Sequence, residues 1–423
     1  MIRKIFFFVL TAACGLISCN NGGKQELSVT NNADISRPDD LIVFSRQALE
    51  DKAGSVAPGQ YVQVKNGKGE PVVVQYDDRD GDGEWDEAAW LYSFEPKEAA
   101  AFSLEISDAP ATVKAVVRAH ARHMRKTQDN TFGPDLRIDS VPPGLAPTDF
   151  TKVALPPFLT EGPSWENDKV GFRLYFDVRN GKDIWGKTTT AMVLDEVGAD
   201  SSANYHQLAD WGMDVLKVGK SLGAGALALQ VPAGDGKDTL VRLGGINMGR
   251  IIYEKIADGP VRAIIRLHYP EWKIAENLAP VSLTEEISIW GGQYFYESKV
   301  TVKQAPEGAR LVTGIVNLHS QSSQVIDTAG CTILYTYDVQ TENKDNMGMA
   351  VLMSNRQEPQ TGAAPNSNSD VLQTYTISAS LKQQPVVFRF YAGWEKSDSR
   401  FASAASFSSF LKEAALQYSF GAE

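Results

Sequence analysis

Val261-Arg262-Ala263-Ile264-Ile265-Arg266-Leu267-His268-Tyr269 is short, rich in β-branched and aromatic residues, and only imperfectly alternating. Such a run reads as a strand of a β-sandwich packed on one or both faces. The same texture recurs at Tyr61-Val62-Gln63-Val64, Val72 to Tyr76, Val170-Gly171-Phe172-Arg173-Leu174-Tyr175-Phe176 and Val386 to Tyr391. Asn66-Gly67, Asn180-Gly181, Asp235-Gly236 and Asp258-Gly259 punctuate the strands with turn dipeptides. One helix is clear. After Asp398 and Ser399, the residues Phe407, Phe410, Leu411 and Ala414 fall at i, i+3, i+4 and i+7, an apolar stripe that predicts a lid or a final brace. No fixed-period repeat is present, which argues against a propeller or solenoid. The composition shifts between Ser107 and Thr112, and a proline-rich stretch runs from Asp139 to Pro157. The expected architecture is all-β: a small N-terminal β-sandwich over residues 27–110, a large antiparallel β-sandwich over residues 111–423, and the closing helix.

The N-terminus gives the expected location. Arg3 and Lys4 precede an apolar run from Ile5 to Ile17 that ends in Leu16-Ile17-Ser18-Cys19. A run this short does not span a bilayer, and the closing pattern is a lipoprotein processing site. Residues 1–18 are expected to be removed, Cys19 to carry lipid, and residues 19–26 to act as a tether. The body is then exported and anchored to the cell envelope, on the periplasmic or surface face of the outer membrane. Cys331 remains as the lone cysteine, which excludes an intramolecular disulfide and predicts a buried structural thiol. The net charge of −11 argues against nucleic acid as a partner.

Three segments invite chemistry. Asp78-Arg79-Asp80-Gly81-Asp82-Gly83-Glu84-Trp85-Asp86 spaces its carboxylates like a calcium loop, with glycine at the tight turn. The twelfth position is Ala89 and a strand precedes the loop, so a hairpin-borne structural calcium on Asp78, Asp80, Asp82, Glu84 and Asp86 is expected, not an EF-hand. Thr112 to Lys126 concentrates basic residues. If it is a strand, Arg118, His120 and Arg122 point the same way, a strip for an anionic substrate. The third segment, Glu161 to Gly225, interleaves acidic, aromatic and glycine residues as sugar-binding clefts do. It offers Tyr205 or His206 as a base, Arg173 to neutralise a uronate carboxylate, and a carboxylate pair, Glu161 or Glu166 with Asp210 or Asp214, as acid and base or nucleophile. Trp165, Glu166, Asn167, Trp211, Asp214 and Lys217 are the expected substrate contacts. The glycine-rich run Gly219 to Gly225 lacks the spacing of a phosphate loop, and no HExxH zinc motif is present.

Gln75-Tyr76-Asp77-Asp78 with Asp82-Gly83 and Asp86-Glu87, Glu161-Gly162-Pro163 with Trp165-Glu166-Asn167, and Trp211 through Gly219 resemble the bacterial lipoprotein family called domain of unknown function 4861. The resemblance implies a galactose-mutarotase-like super-sandwich and a setting among polysaccharide-degrading enzymes. It carries no settled reaction and so transfers no catalytic residue. Two functions follow as expectations: a lyase or hydrolase acting on uronate-containing oligosaccharides, or a tethered glycan-binding protein without turnover.

Overall fold

The computed structural model describes residues 25–200, 203–232, 238–365 and 368–419. The leader, Cys19, most of the expected tether and the Asp235-Gly236 turn lie outside the described residues. Among the described residues, strands Gln324–Asp327, Cys331–Val339, Asn346–Ser354, Val386–Trp394, Phe295–Lys303, Val281–Trp290, Arg262–Trp272, Ile251–Asp258 and Ile138–Val141 form one antiparallel nine-stranded sheet, in that order. Val281–Trp290 buries every second residue, as a strand with one wet face must. Asn346–Ser354 is buried almost throughout, because both of its faces are covered. Met347, Met349, Val351 and Met353 enter the inter-sheet core. Ala350 and Leu352 point the other way, under the helix Ala404–Ser419.

That helix buries Phe407, Leu411, Ala414 and Ala415 against the outer face of the sheet and is a brace, not a lid. Gly348 makes room for it: a Cβ there would stand 2.4 Å from the Phe407 ring. Cys331 is fully buried in the same layer, and burial pushes its thiol up, as expected of a structural cysteine.

Two further sheets close the sandwich among the described residues. A six-stranded sheet runs Gln360–Ala364, Thr374–Ser380, Arg310–Val316, Ala228–Pro232, Asp238–Arg242, Asn368–Ser369. A five-stranded sheet runs Gly212–Asp214, Lys182–Lys187, Val170–Leu174, Ser164–Asn167, Ala119–Arg122. Phe172 and Ile184 from the five-stranded sheet, and Leu229 and Ile315 from the six-stranded one, meet Leu267, Ile287 and Phe388 of the nine-stranded sheet in one core. The protein is therefore an all-β super-sandwich, as the strand texture predicts.

The N-terminal unit is a smaller sandwich. Its two three-stranded sheets, Gln25–Thr30, Ala99–Ser107, Tyr61–Lys65 and Arg37–Ser45, Glu87–Phe94, Gln75–Asp77, share a core of Val62, Val64, Trp90 and Phe102. It also carries a helix that sequence reading missed, Arg46–Ala53, whose N-cap Ser45 accepts from the Ala48 amide. Gln75 and Asp77 dock this unit on the large one. The Gln75 amide accepts from the Val261 and Arg262 backbone N–H groups and donates to the Arg262 carbonyl. Asp77 accepts from Arg262 Nε at 2.7 Å.

Candidate active site

Strand register assembles the site. Arg173 pairs with Asp183 across two antiparallel strands, and Trp185 pairs with Asp214 across the next two. Directly paired positions share a sheet face, as do residues two apart, so Arg173, Asp183, Trp185 and Asp214 project together. Arg173 Nη2 donates to Asp183, to Asp214 Oδ2 at 2.6 Å and to the Tyr175 hydroxyl at 2.8 Å. Tyr175 in turn donates to Asp183 at 2.8 Å. The guanidinium lies among the rings of Tyr175, Trp185 and Tyr205, at 4.5, 4.6 and 5.8 Å.

Two buried carboxylates thus share one cation. Burial and the neighbouring Asp183 push the Asp214 carboxyl well above the usual carboxylate range, in spite of Arg173. His206 Nδ1 stands 3.3 Å from Asp214 Oδ2. Burial and the Arg173 cation push His206 down. The His206 side chain is 60% exposed, leaving the rest of the ring free to meet a ligand.

His206 and Asp214 line a cavity of about 290 Å³ together with Tyr175, Arg179, Lys217, Arg242 and Glu342. Arg179 stacks on Tyr175 at 4.0 Å and is neutralised by Asp177 and by Glu161 Oε1 at 2.6 Å. Lys217 and Arg242 form no ion pair among the described residues, and Arg242 Nε is buried without a hydrogen-bond partner. Thr160 and Glu161 hold left-handed backbone (φ 49° and 67°), a conformation that non-glycine residues adopt at a cost and that gathers at functional sites. Gly162 is required next to them, since a Cβ would stand 2.1 Å from the Leu174 carbonyl oxygen.

Of the expected catalytic residues, His206 lines the cavity and Arg173 lies behind it, fully buried and out of reach of substrate. Glu161 is committed to Arg179. Tyr205 turns its ring onto Trp185 and Arg173, and Tyr175 is the tyrosine facing the cavity. Asp210 is exposed and does not line the cavity; its carbonyl accepts from Thr188. Of the expected contacts, Asp214 and Lys217 do line it.

Several expectations need correction. Trp165 is buried in the inter-sheet core against Phe172 and Tyr296. Glu166 is the buried partner of Lys187. Asn167 donates to the Trp290 and Gln293 carbonyls and is structural. The basic strip is not a strip. Arg118 lies outside the strand Ala119–Arg122 and is held by Asp39 and Asp168. Arg122 is buried on the carbonyls of Leu194 and Leu159. Between them, burial works against the His120 cation, but Asp195 and Asp258 raise it to about 10. In the acidic loop, carboxylate oxygens of Asp78, Asp80 and Asp86 come within 4.8 Å of one another. Asp82 instead caps the Glu84 amide, and Glu84 pairs with Arg46. Sequence reading missed Arg179 and Arg242, and it passed over Asp183 as a site residue.

Comparison with known proteins places the chain in a family. A curated relative, "Uncharacterized protein P7" of Formosa agariphila, is 23% identical over 344 residues, which is 77% of this chain and 75% of that protein. Among solved structures, an alpha-mannosidase from Enterococcus faecalis V583 aligns with a TM-score of 0.48 and 10% identity, over 94% of this chain and 46% of that one. A glycosyl hydrolase family 38 protein from Enterococcus faecalis gives 0.44 and 10%, over 95% and 47%. The chain spans about half the length of these solved structures. The family model described as domain of unknown function (DUF4861) matches residues 29–420, and the chain belongs to that family.

Proposed function

We propose that the chain is an exported enzyme, lipid-anchored at the cell envelope through Cys19, that cleaves uronate-containing oligosaccharides by β-elimination. The observation that carries this reading is the cavity itself. It joins a His206–Asp214 pair to Lys217 and Arg242, two cations that stand in no salt bridge among the described residues, Asp370 acting on Arg242 only from a distance. Lys217 and Arg242 bind the uronate carboxylate and so acidify the adjacent C5 proton. His206 removes that proton, the C4–C5 double bond forms as the C4–O bond breaks, and His206 returns the proton to the departing oxygen. Asp214 Oδ2, 3.3 Å from Nδ1, holds the imidazole in place. Elimination is favoured over hydrolysis because the two carboxylates that line the cavity, Asp214 and Glu342, are each already engaged by a basic side chain, Arg173 and His319.

The test uses membrane and soluble fractions of cells making the protein or its Cys19→Ala form, incubated with a panel of uronate oligosaccharides. Ultraviolet absorbance of an unsaturated uronate product is expected, from the membrane fraction for the native chain and from the soluble fraction for Cys19→Ala. New reducing ends without absorbance would replace elimination with hydrolysis, and binding without turnover would leave a glycan-binding lipoprotein.

We also propose a structural calcium ion on Asp78, Asp80 and Asp86. Calcium added after chelation is expected to raise the melting temperature and release heat in a calorimetric titration. Neither response would end that assignment.

A further inference from the structure

A second hollow of about 400 Å³ lies beside the cationic cavity. The segment 204–209 is their common wall: His206 faces the cavity, while Tyr205, Gln207 and Leu208 face the hollow. The Tyr205 and His206 ring centroids are only 4.5 Å apart, so occupants of the two sites would be immediate neighbours. The floor is apolar and aromatic. Tyr205 and Trp211 rest edge-on against the buried Trp185 at 5.5 and 6.1 Å, and Leu208 is 47% exposed. The rim is polar, with the Glu196 carboxylate and the Asn204 and Gln207 amides, and among the described residues no Lys, Arg or His lines it.

A pyranose ring presents an apolar C–H face edged by hydroxyls, which matches an aromatic floor with an amide and carboxylate rim. Charge separates the two sites. The cavity sets Arg179, Lys217 and Arg242 against Asp214 and Glu342, whereas among the described residues the only charge lining the hollow is Glu196, which repels a second uronate. We propose that the hollow is a subsite for a neutral sugar joined to the acidic sugar in the cavity, so that the ligand is an oligosaccharide mixing uronate and neutral residues. This inference rests on the reading of the cavity as an acidic-sugar site.

The experiment is a titration of tryptophan fluorescence, paired with the turnover assay. The probes are hyaluronan and rhamnogalacturonan I fragments, which alternate acidic and neutral sugars, and oligogalacturonate and oligoalginate, which do not. Mixed fragments are expected to bind more tightly than the homouronates. Trp211→Ala is expected to weaken mixed-fragment binding on the order of tenfold, the size of one aromatic contact, while leaving the homouronates unchanged. Leu208→Glu, at an exposed position, places a charge on the floor without removing packing, and is expected to give the same loss with an unchanged melting temperature. Homouronates binding as well as mixed fragments, or mixed-fragment affinity indifferent to both substitutions, would overturn the subsite. Mixed fragments bound through Trp211 but not turned over would leave the subsite standing and remove the enzymatic reading. Turnover with no dependence on Trp211 or Leu208 would do the reverse, and no binding by any acidic probe would remove both.

Discussion

His206→Ala is expected to lower kcat by roughly 10²–10⁴-fold, the usual size of a general acid–base contribution, with the melting temperature unchanged. Its side chain is 60% exposed and its near neighbour is Asp214 Oδ2 at 3.3 Å, so truncation leaves little packing to lose. Asp214→Asn is expected to lower kcat as well, because the imidazole loses the carboxylate that holds it in place. Stability should move the other way. The folded state raises the Asp214 carboxyl above its unfolded value. Its stabilising contribution is therefore present in acid and lost as pH rises through the unfolded value toward the folded one. An asparagine has no proton to lose, so the variant is expected to match or exceed the native melting temperature at neutral pH. The acid limb of kcat/KM reports the pH at which His206 gives up its proton. Burial and Arg173 place that limb below the ordinary histidine value of 6.5, with activity rising as pH climbs through it. Full turnover in His206→Ala, or a limb above 6.5, would move the base elsewhere.

The strands were legible because a β-branched, aromatic run needs no long-range information to be recognised. The helix was legible for the same reason: Phe407, Leu411 and Ala414 carry its period locally, and all three are buried. The capped helix Arg46–Ala53 escaped because it buries only Leu49 and so has almost no apolar stripe. Site residues divide along a different line. Asp214, Lys217 and His206 were found because polar residues among glycines mark a turn-rich cleft. Trp165, Glu166 and Asn167 carry the same residue types, yet they stand on a strand buried at every position. Residue type suggests hydrogen-bonding capacity, but the partner that consumes it lies elsewhere in the chain, as Lys187 does for Glu166. Arg242 was invisible for the opposite reason. It belongs to Asp238–Arg242, in a different sheet from Asp214, and only the packing of the two sheets brings both to one cavity.

Lys187→Met is expected to destabilise the fold by about 3–5 kcal/mol, the cost of leaving a buried charge without its partner. Neither side chain of the Lys187–Glu166 pair is exposed at all. Lys187 Nζ donates to Glu166 Oε2 and to the Asn167 carbonyl, and Glu166 Oε1 accepts from the Val193 and Leu194 amides at 2.7 and 2.8 Å. Methionine matches the lysine stem in volume but leaves the carboxylate facing an apolar wall. The deficit is read from urea unfolding. The double variant Lys187→Met/Glu166→Leu should recover part of the loss and not all of it, because the Val193 and Leu194 amides then lack an acceptor. A loss below about 1 kcal/mol, the range of exposed ion pairs, would mean that water reaches the pair. The consequence extends beyond stability. Val193 lines the aromatic hollow, and Glu166 is what fixes its backbone. The residue that looked like a sugar ligand therefore acts at one remove, by holding the wall on which the neighbouring sugar is proposed to rest.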